Sequence, residues 1–178
     1  EALVELGGER VVPRRFLGKA CAEHAVEQDR VARELLGERR RRAHDLGDQV
    51  EFVGHVGGEQ KAALLRQADV HVVPSIVSST GDVEGLPVSL LEGLAWGKVC
   101  IATPQGGADE ILETGRDGFL VPGADVEALA ARLVEAFALA PGPRAAMQGA
   151  ARRKAQEFEW SVVARRQLEL LRAAARQE

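Results

Sequence analysis

Two carboxylates, Glu84 and Glu92, bracket the segment E-G-L-P-V-S-L-L-E. Gly85 and Pro87 interrupt the backbone between them, and an apolar run follows at once. That is the pattern of a helix opened by proline in its first turn. The first N–H groups of such a helix have no partner within it, so together with the helix dipole they form a site for an anion, best for phosphate. Gly85 lets backbone come close to a ligand because it has no Cβ. Glu84, just ahead of the helix start, is placed to accept hydrogen bonds from hydroxyls of a ligand held there. Glu92 lies about 7.5 Å further along the axis than Pro87, and helical side chains lean toward the N-terminus. An ionised carboxylate accepts two hydrogen bonds together, which suits the vicinal diol of a ribose. The segment therefore reads as a site for a sugar, a diphosphate and a ribose in a row. A plainer reading stays open, since either acid taken alone also complements the helix dipole.

Such a site needs elements to carry it. From residue 50 onward the sequence predicts alternating strands and helices. Strands are expected at 50–54, 69–75, 98–103 and 118–122, and helices at 59–68, 87–96 and 106–112. A further helix is capped by Asp125, with apolar positions 126, 129, 130, 133 and 137 at the helical period. Pro141 and Pro143 end it, and helices near 144–157 and after Ser161 close the chain. Apolar strands alternating with helices imply an α/β fold, a parallel sheet covered on both faces. Ligands of such sheets bind at the carboxyl ends of the strands. The loops 78–87 and 104–107 both leave strands at that edge and should face one crevice. The first 49 residues read poorly. Residues 11–13 end a weak strand, 17–48 hold no convincing strand, and the run Glu38–Arg42 reads as a solvated helix face or a basic patch.

Composition narrows the class. The chain has 178 residues, one domain's length, of which 46% are apolar and 28% charged. A net charge of −4 argues against general nucleic-acid binding, and the absence of Tyr argues against base-stacking platforms. Cys21 and Cys100 have no metal or redox spacing, which suits a reducing cytosol. No apolar run approaches a membrane span. The chain does not begin with Met, as expected of a piece of a longer protein. No G-x-G-x-x-G opens a helix, Leu17–Ala20 does not make a P-loop, and no Ser sits in a G-x-S-x-G context. The histidines (24, 44, 55 and 71) lack ligand spacing, so no metal site is expected. His71 reads as a packed or edge strand residue, His55 as a candidate cleft residue, Cys100 as core and Trp160 as a packing anchor.

The motifs V-V-P-S, G-D-V-E-G-L-P-V-S-L-L-E-G-L-A-W-G-K-V-C-I-A-T, G-G-A-D-E-I-L and G-x-D-G-F-L-V-P, from about Val50 to Pro122, together resemble the donor-binding C-terminal domain of retaining glycosyltransferases of family 4. E-F-E-W-S (157–161) resembles that family's end signature. The resemblance implies one half of a GT-B architecture, two Rossmann-like domains facing across a cleft. Residues 50–140 would be the nucleotide-sugar-binding core, 141–178 its C-terminal helices, and 1–49 an atypical N-terminal part. It implies transfer of a glycosyl group from a nucleoside-diphosphate sugar, UDP- or GDP-linked, to an acceptor hydroxyl with retention and without a metal or other cofactor. Glu84 would touch the donor sugar and Glu92 the ribose. Gly85, Leu86, Pro87 and Val88 would lie near sugar and phosphate, Pro87 without an N–H to offer. Gly106, Gly107 and Glu110 match the family's G-G-x-x-E turn. For its basic pair G-R-L-x-x-x-K-G, the match is G-E-R-V-V-P-R-R-F (8–16), with Arg10 and Arg15 in the cationic positions and Phe16 where glycine is usual.

The family's strand of the L-V-I-V-G type has no counterpart; Arg33–Gly37 reads as a helix end. The acceptor domain that precedes this half in the family is absent, leaving the last helix with an apolar stripe to expose. The resemblance also implies a cytoplasmic enzyme of polysaccharide synthesis, with peripheral membrane contact through the full-length protein. Two other readings compete. One is a non-catalytic nucleotide-sugar-binding or interaction module, favoured by Phe16 and the missing strand. The other is an epimerase or phosphorylase acting on related substrates, disfavoured by the complete E-x7-E block.

Overall fold

A computed structural model describes the backbone of Val4–Leu6, Glu9–Val11 and Phe16–Gly18, residues 50, 51 and 53–77, and residues 85–176. The chain divides into two compact units, residues 1–14 with 20–64, and residues 15–19 with 65–178. In the first, β1 (Val4–Leu6) and β2 (Glu9–Val11) pair antiparallel. The helix α1 (Gly58–Gln67) has residues in both units.

The second unit is built on four parallel strands in sequence order: β3 (Phe16–Gly18), β4 (Val70–Val73), β5 (Val99–Ala102) and β6 (Gly118–Leu120). His71 stands opposite Cys100, and Ile101 opposite Phe119. Every residue of β4 and β5 is buried. Because side chains alternate across a strand, this demands a helical layer on each face. Val70, Val72, Val99 and Ile101 pack with Phe119, Ala136 and Met147. Val73, Cys100 and Ala102 pack instead with Leu90, Leu94, Ala108 and Ile111. The second group brings in α2 (Val88–Ala95) and α3 (Ala108–Ile111). The first brings in α4 (Val126–Ala138) and α5 (Pro141–Gln156), and α5 also supplies Ala151 to the second group. The fold is thus the expected Rossmann-like one.

Local chemistry sets the helix ends. The Asp125 carboxylate accepts the Ala128 N–H at 2.9 Å and caps α4 as its sequence predicts. Trp96 and Gly97 close α2, with Gly97 at φ +64°. Gly93 lies in the middle of α2. A Cβ there would overlap His71 Cδ2 and stand 3.0 Å from Cys100 Sγ, so the missing side chain is what lets α2 lie close on β4 and β5.

Four expectations need correction. Residues 50, 51, 53 and 54 are not in a strand; Glu51 and Gly54 are exposed, and alternation alone does not supply a pairing partner. Residues 17–48 hold no convincing strand by sequence, yet Phe16–Gly18 is a strand of the parallel sheet, paired with Val70–Val72. The helix expected near 144–157 begins at Pro141, because both prolines fall in a first turn that needs no N–H from them. Trp160 is 88% exposed rather than a packing anchor. It opens α6 (Trp160–Ala174), a helix with no buried residue and with Leu168, Leu170 and Leu171 exposed. No helix among the described residues is long and apolar enough to cross a membrane.

Candidate functional site

Parallel strands bring the N-terminus of α2, which follows β4, and that of α3, which follows β5, to the same sheet edge. Two hydrogen bonds tie the loops there. The Thr103 N–H donates to the Val73 carbonyl at 3.3 Å, and the buried Thr103 hydroxyl donates to the Ser75 carbonyl. Thr103 and Ser75 are pegs that sequence alone does not single out; they are the last residues of the expected strands 98–103 and 69–75 and lie just past the ends of β5 and β4.

The entrance to α2 is built as the sequence predicts. Pro87 is its N-cap, buried, with φ −74° and ψ 87°, and no side chain caps this end. The Leu90 N–H closes the first turn on the Pro87 carbonyl at 2.8 Å. The Val88 and Ser89 N–H groups precede that closure and are left for another acceptor. Gly85, Leu86 and Val88 are exposed. A Cβ on Gly85 would meet no atom of the described residues within 4 Å, and Gly85 has no positive φ. Among the described residues neither packing nor backbone strain calls for glycine there. Glu92 is half-buried one turn further on.

The second loop carries the paired glycines. Gly106 and Gly107 have φ +61° and +80°, a left-handed pair in which two residues with side chains would be strained. Gly107 is the N-cap of α3, and the Glu110 N–H donates to its carbonyl at 3.0 Å. Glu110 itself is exposed. The structure therefore collects Gly85, Leu86, Pro87, Val88 and Glu92 on α2 and its approach, and Gly106, Gly107 and Glu110 on α3 and its approach. Glu84 and Arg15 lie outside the described residues. Arg10 is placed in β2 of the first unit, and its side chain is also outside them. His55, a candidate cleft residue, is exposed in the first unit.

Three buried polar groups lie in the core that carries the site. His71 is 3% exposed and its Nε2 lies 2.9 Å from the Ser89 carbonyl. The Asp117 carboxylate is buried and accepts the Glu113 N–H at 2.7 Å, which folds the turn leading into β6. The Asp of the G-x-D-G motif thus shapes backbone. Burial, with Asp117 adding repulsion, pushes the Cys100 thiol far above its ordinary pKa, so it is inert core beneath α2. Among the described residues no group of three or more His, Cys, Asp or Glu could hold a metal.

The profile of a family described as "Glycosyl transferases group 1" matches residues 15–138, well over half of the chain. The chain belongs to this family. It is 36% identical over 131 residues to the putative colanic acid biosynthesis glycosyltransferase WcaL of Escherichia coli, an alignment spanning 73% of this chain and 32% of that protein. It is 40% identical over 123 residues to a GDP-mannose-dependent monoacylated alpha-(1-6)-phosphatidylinositol monomannoside mannosyltransferase of Corynebacterium glutamicum, spanning 68% and 32%. Among solved structures, Anabaena Alr3699/HepE in complex with UDP-glucose superposes with a TM-score of 0.64 at 23% identity, over 91% of this chain and 41% of that one. The chain spans about a third of the length of the curated relatives it matches. That partial span fits the C-terminal domain of a GT-B glycosyltransferase.

Proposed function

We propose that this chain is the donor-binding domain of a glycosyltransferase that moves a glycosyl group from a nucleoside-diphosphate sugar to an acceptor hydroxyl, with retention at the anomeric carbon. The observation that carries this reading is the uncapped N-terminus of α2 at the carboxyl edge of the sheet, with Glu92 one turn inside it. The Val88 and Ser89 amides and the positive end of the helix dipole take the β-phosphate. Such an end contributes about 0.3–2 kcal/mol toward an anion, depending on burial. Negative charge grows on that phosphate as the glycosyl bond breaks, so fixed amides there favour the transition state over the ground state. Glu92 accepts the ribose hydroxyls, Glu84 holds the sugar, and Arg10 and Arg15 add cationic charge. The G-G turn at 106–107, with Glu110, shapes the other wall.

The donor is UDP- or GDP-linked. Relatives named for GDP-mannose and for colanic acid synthesis, and a fold neighbour holding UDP-glucose, support that range and a role in cell-surface polysaccharide. A further domain of the full-length protein binds the acceptor, and the enzyme works in the cytoplasm at the membrane's inner face. Titration with UDP-glucose and GDP-mannose, then NMR of the anomeric proton in product made by the full-length protein, tests this reading. It predicts saturable binding of one donor and a product of unchanged anomeric configuration. Inverted product, or no binding of either donor by folded protein, overturns it.

A further inference from the structure

β4 is Val70–Val73 with one interruption, His71, in the middle of a buried strand. A buried imidazole is costly unless its nitrogens are hydrogen-bonded. The partner of Nε2 is a carbonyl oxygen, that of Ser89 at 2.9 Å, so Nε2 must carry the proton and donate. Ser89 sits in the first turn of α2, and its own N–H is one of the two amides left for an anion. Gly93 lies one turn further along the same helix face, and its missing Cβ is what the His71 ring fills. Ser89, Gly93 and His71 thus form one fitted contact directly under the phosphate end of the helix. Valine, which occupies the neighbouring positions of β4, would fill apolar space equally well but could not grip the helix.

We propose that His71 is a positioning residue for the donor diphosphate: by holding the Ser89 carbonyl it fixes how the first turn of α2 presents the Val88 and Ser89 amides. This rests on the donor-site reading above. A core histidine that only stabilised the fold would change stability and leave ligand discrimination alone. The β-phosphate is isolated by comparing UDP with UMP and GDP with GMP. Calorimetric titrations of wild type, His71→Gln, His71→Asn and His71→Leu therefore test the proposal, with far-UV circular dichroism confirming that each is folded.

Wild type should prefer the diphosphate. His71→Leu and His71→Asn, whose amide is too short to reach Ser89, should shrink that preference by about tenfold, while monophosphate affinity stays within about twofold. Gln places an amide N–H where Nε2 was and should restore most of the preference. If His71→Leu does not fold, the Gln and Asn pair alone decides, because both are amides of similar polarity. An unchanged preference in folded His71→Asn, or an equal loss in Gln and Asn, overturns the proposal. Wild type that binds no nucleotide overturns the donor-site reading itself, a result distinct from binding that ignores position 71.

Discussion

Replacing Gly93 by alanine probes the packing on which the whole site stands. In most helices this change helps, because alanine is a better helix former than glycine by about 0.5–1 kcal/mol. Here the new Cβ would overlap His71 Cδ2 and lie 2.9 Å from His71 Cγ and 3.0 Å from Cys100 Sγ. The ring cannot easily swing away. It belongs to an interior strand paired on both edges, and its Nε2 is held by Ser89. Overfilling a packed core costs about 1–3 kcal/mol, so after the helix gain the net loss should be about 0–2.5 kcal/mol, centred near 1 kcal/mol. For a protein of this size about 1 kcal/mol is a drop of roughly 2–4 °C in Tm. Gly149, in the middle of α5, is the internal control. A Cβ there would meet, among the described residues, only Arg153 Nη1 at 3.5 Å, so Gly149→Ala should gain about 0.5–1 kcal/mol. Urea unfolding of the two variants beside wild type measures both signs. If Gly93→Ala proves as stable as Gly149→Ala, α2 does not lie on His71 and Cys100 as described.

Asp117→Ala removes a buried carboxylate that accepts a backbone N–H. Loss of a hydrogen bond to a charged group costs about 1.5–3 kcal/mol, which urea midpoints will show without loss of sheet signal in circular dichroism. The buried Cys100 thiol should resist iodoacetamide in the native protein and react only on unfolding. Its folded-state pKa is raised, so the native state holds the proton more tightly than the unfolded chain. Its contribution to stability is therefore complete at neutral pH and falls as pH rises past the free thiol's value of roughly 8.5. Cys100→Ser should flatten that alkaline decline, as read from urea midpoints at pH 7 and pH 9.5.

The parts of the site that announced themselves in the sequence did so through backbone chemistry. Pro87 and Gly97 mark the ends of α2, Asp125 caps α4, and the pair Gly106–Gly107 adopts positive φ. Each is a local constraint that a residue type imposes on its own neighbourhood, so it survives without knowledge of the fold. What went unread is non-local. Phe16–Gly18 becomes a strand only because Val70–Val72 lies beside it, and three residues carry no periodicity of their own. Residues 50, 51, 53 and 54 sit in a segment read as a strand, but among the described residues they have no strand partner that would make them one. The strand position of His71 leaves open whether it is packed or at an edge; it is packed, and its tie to Ser89 joins residues eighteen apart in sequence. Thr103 met Ser75 in the same way, across two adjacent strand ends. Trp160 misled because size argues for burial, whereas α6 finds no cover among the described residues.

Binding of UDP, GDP and ADP by calorimetry, with wild type and Glu92→Ala side by side, tests the central claim most directly. The account predicts that one nucleotide binds selectively and that Glu92→Ala, shown to be folded by circular dichroism, weakens it at least tenfold, the effect of losing hydrogen bonds from a charged acceptor to the ribose. Equal binding of the nucleotide by folded wild type and folded Glu92→Ala would contradict it.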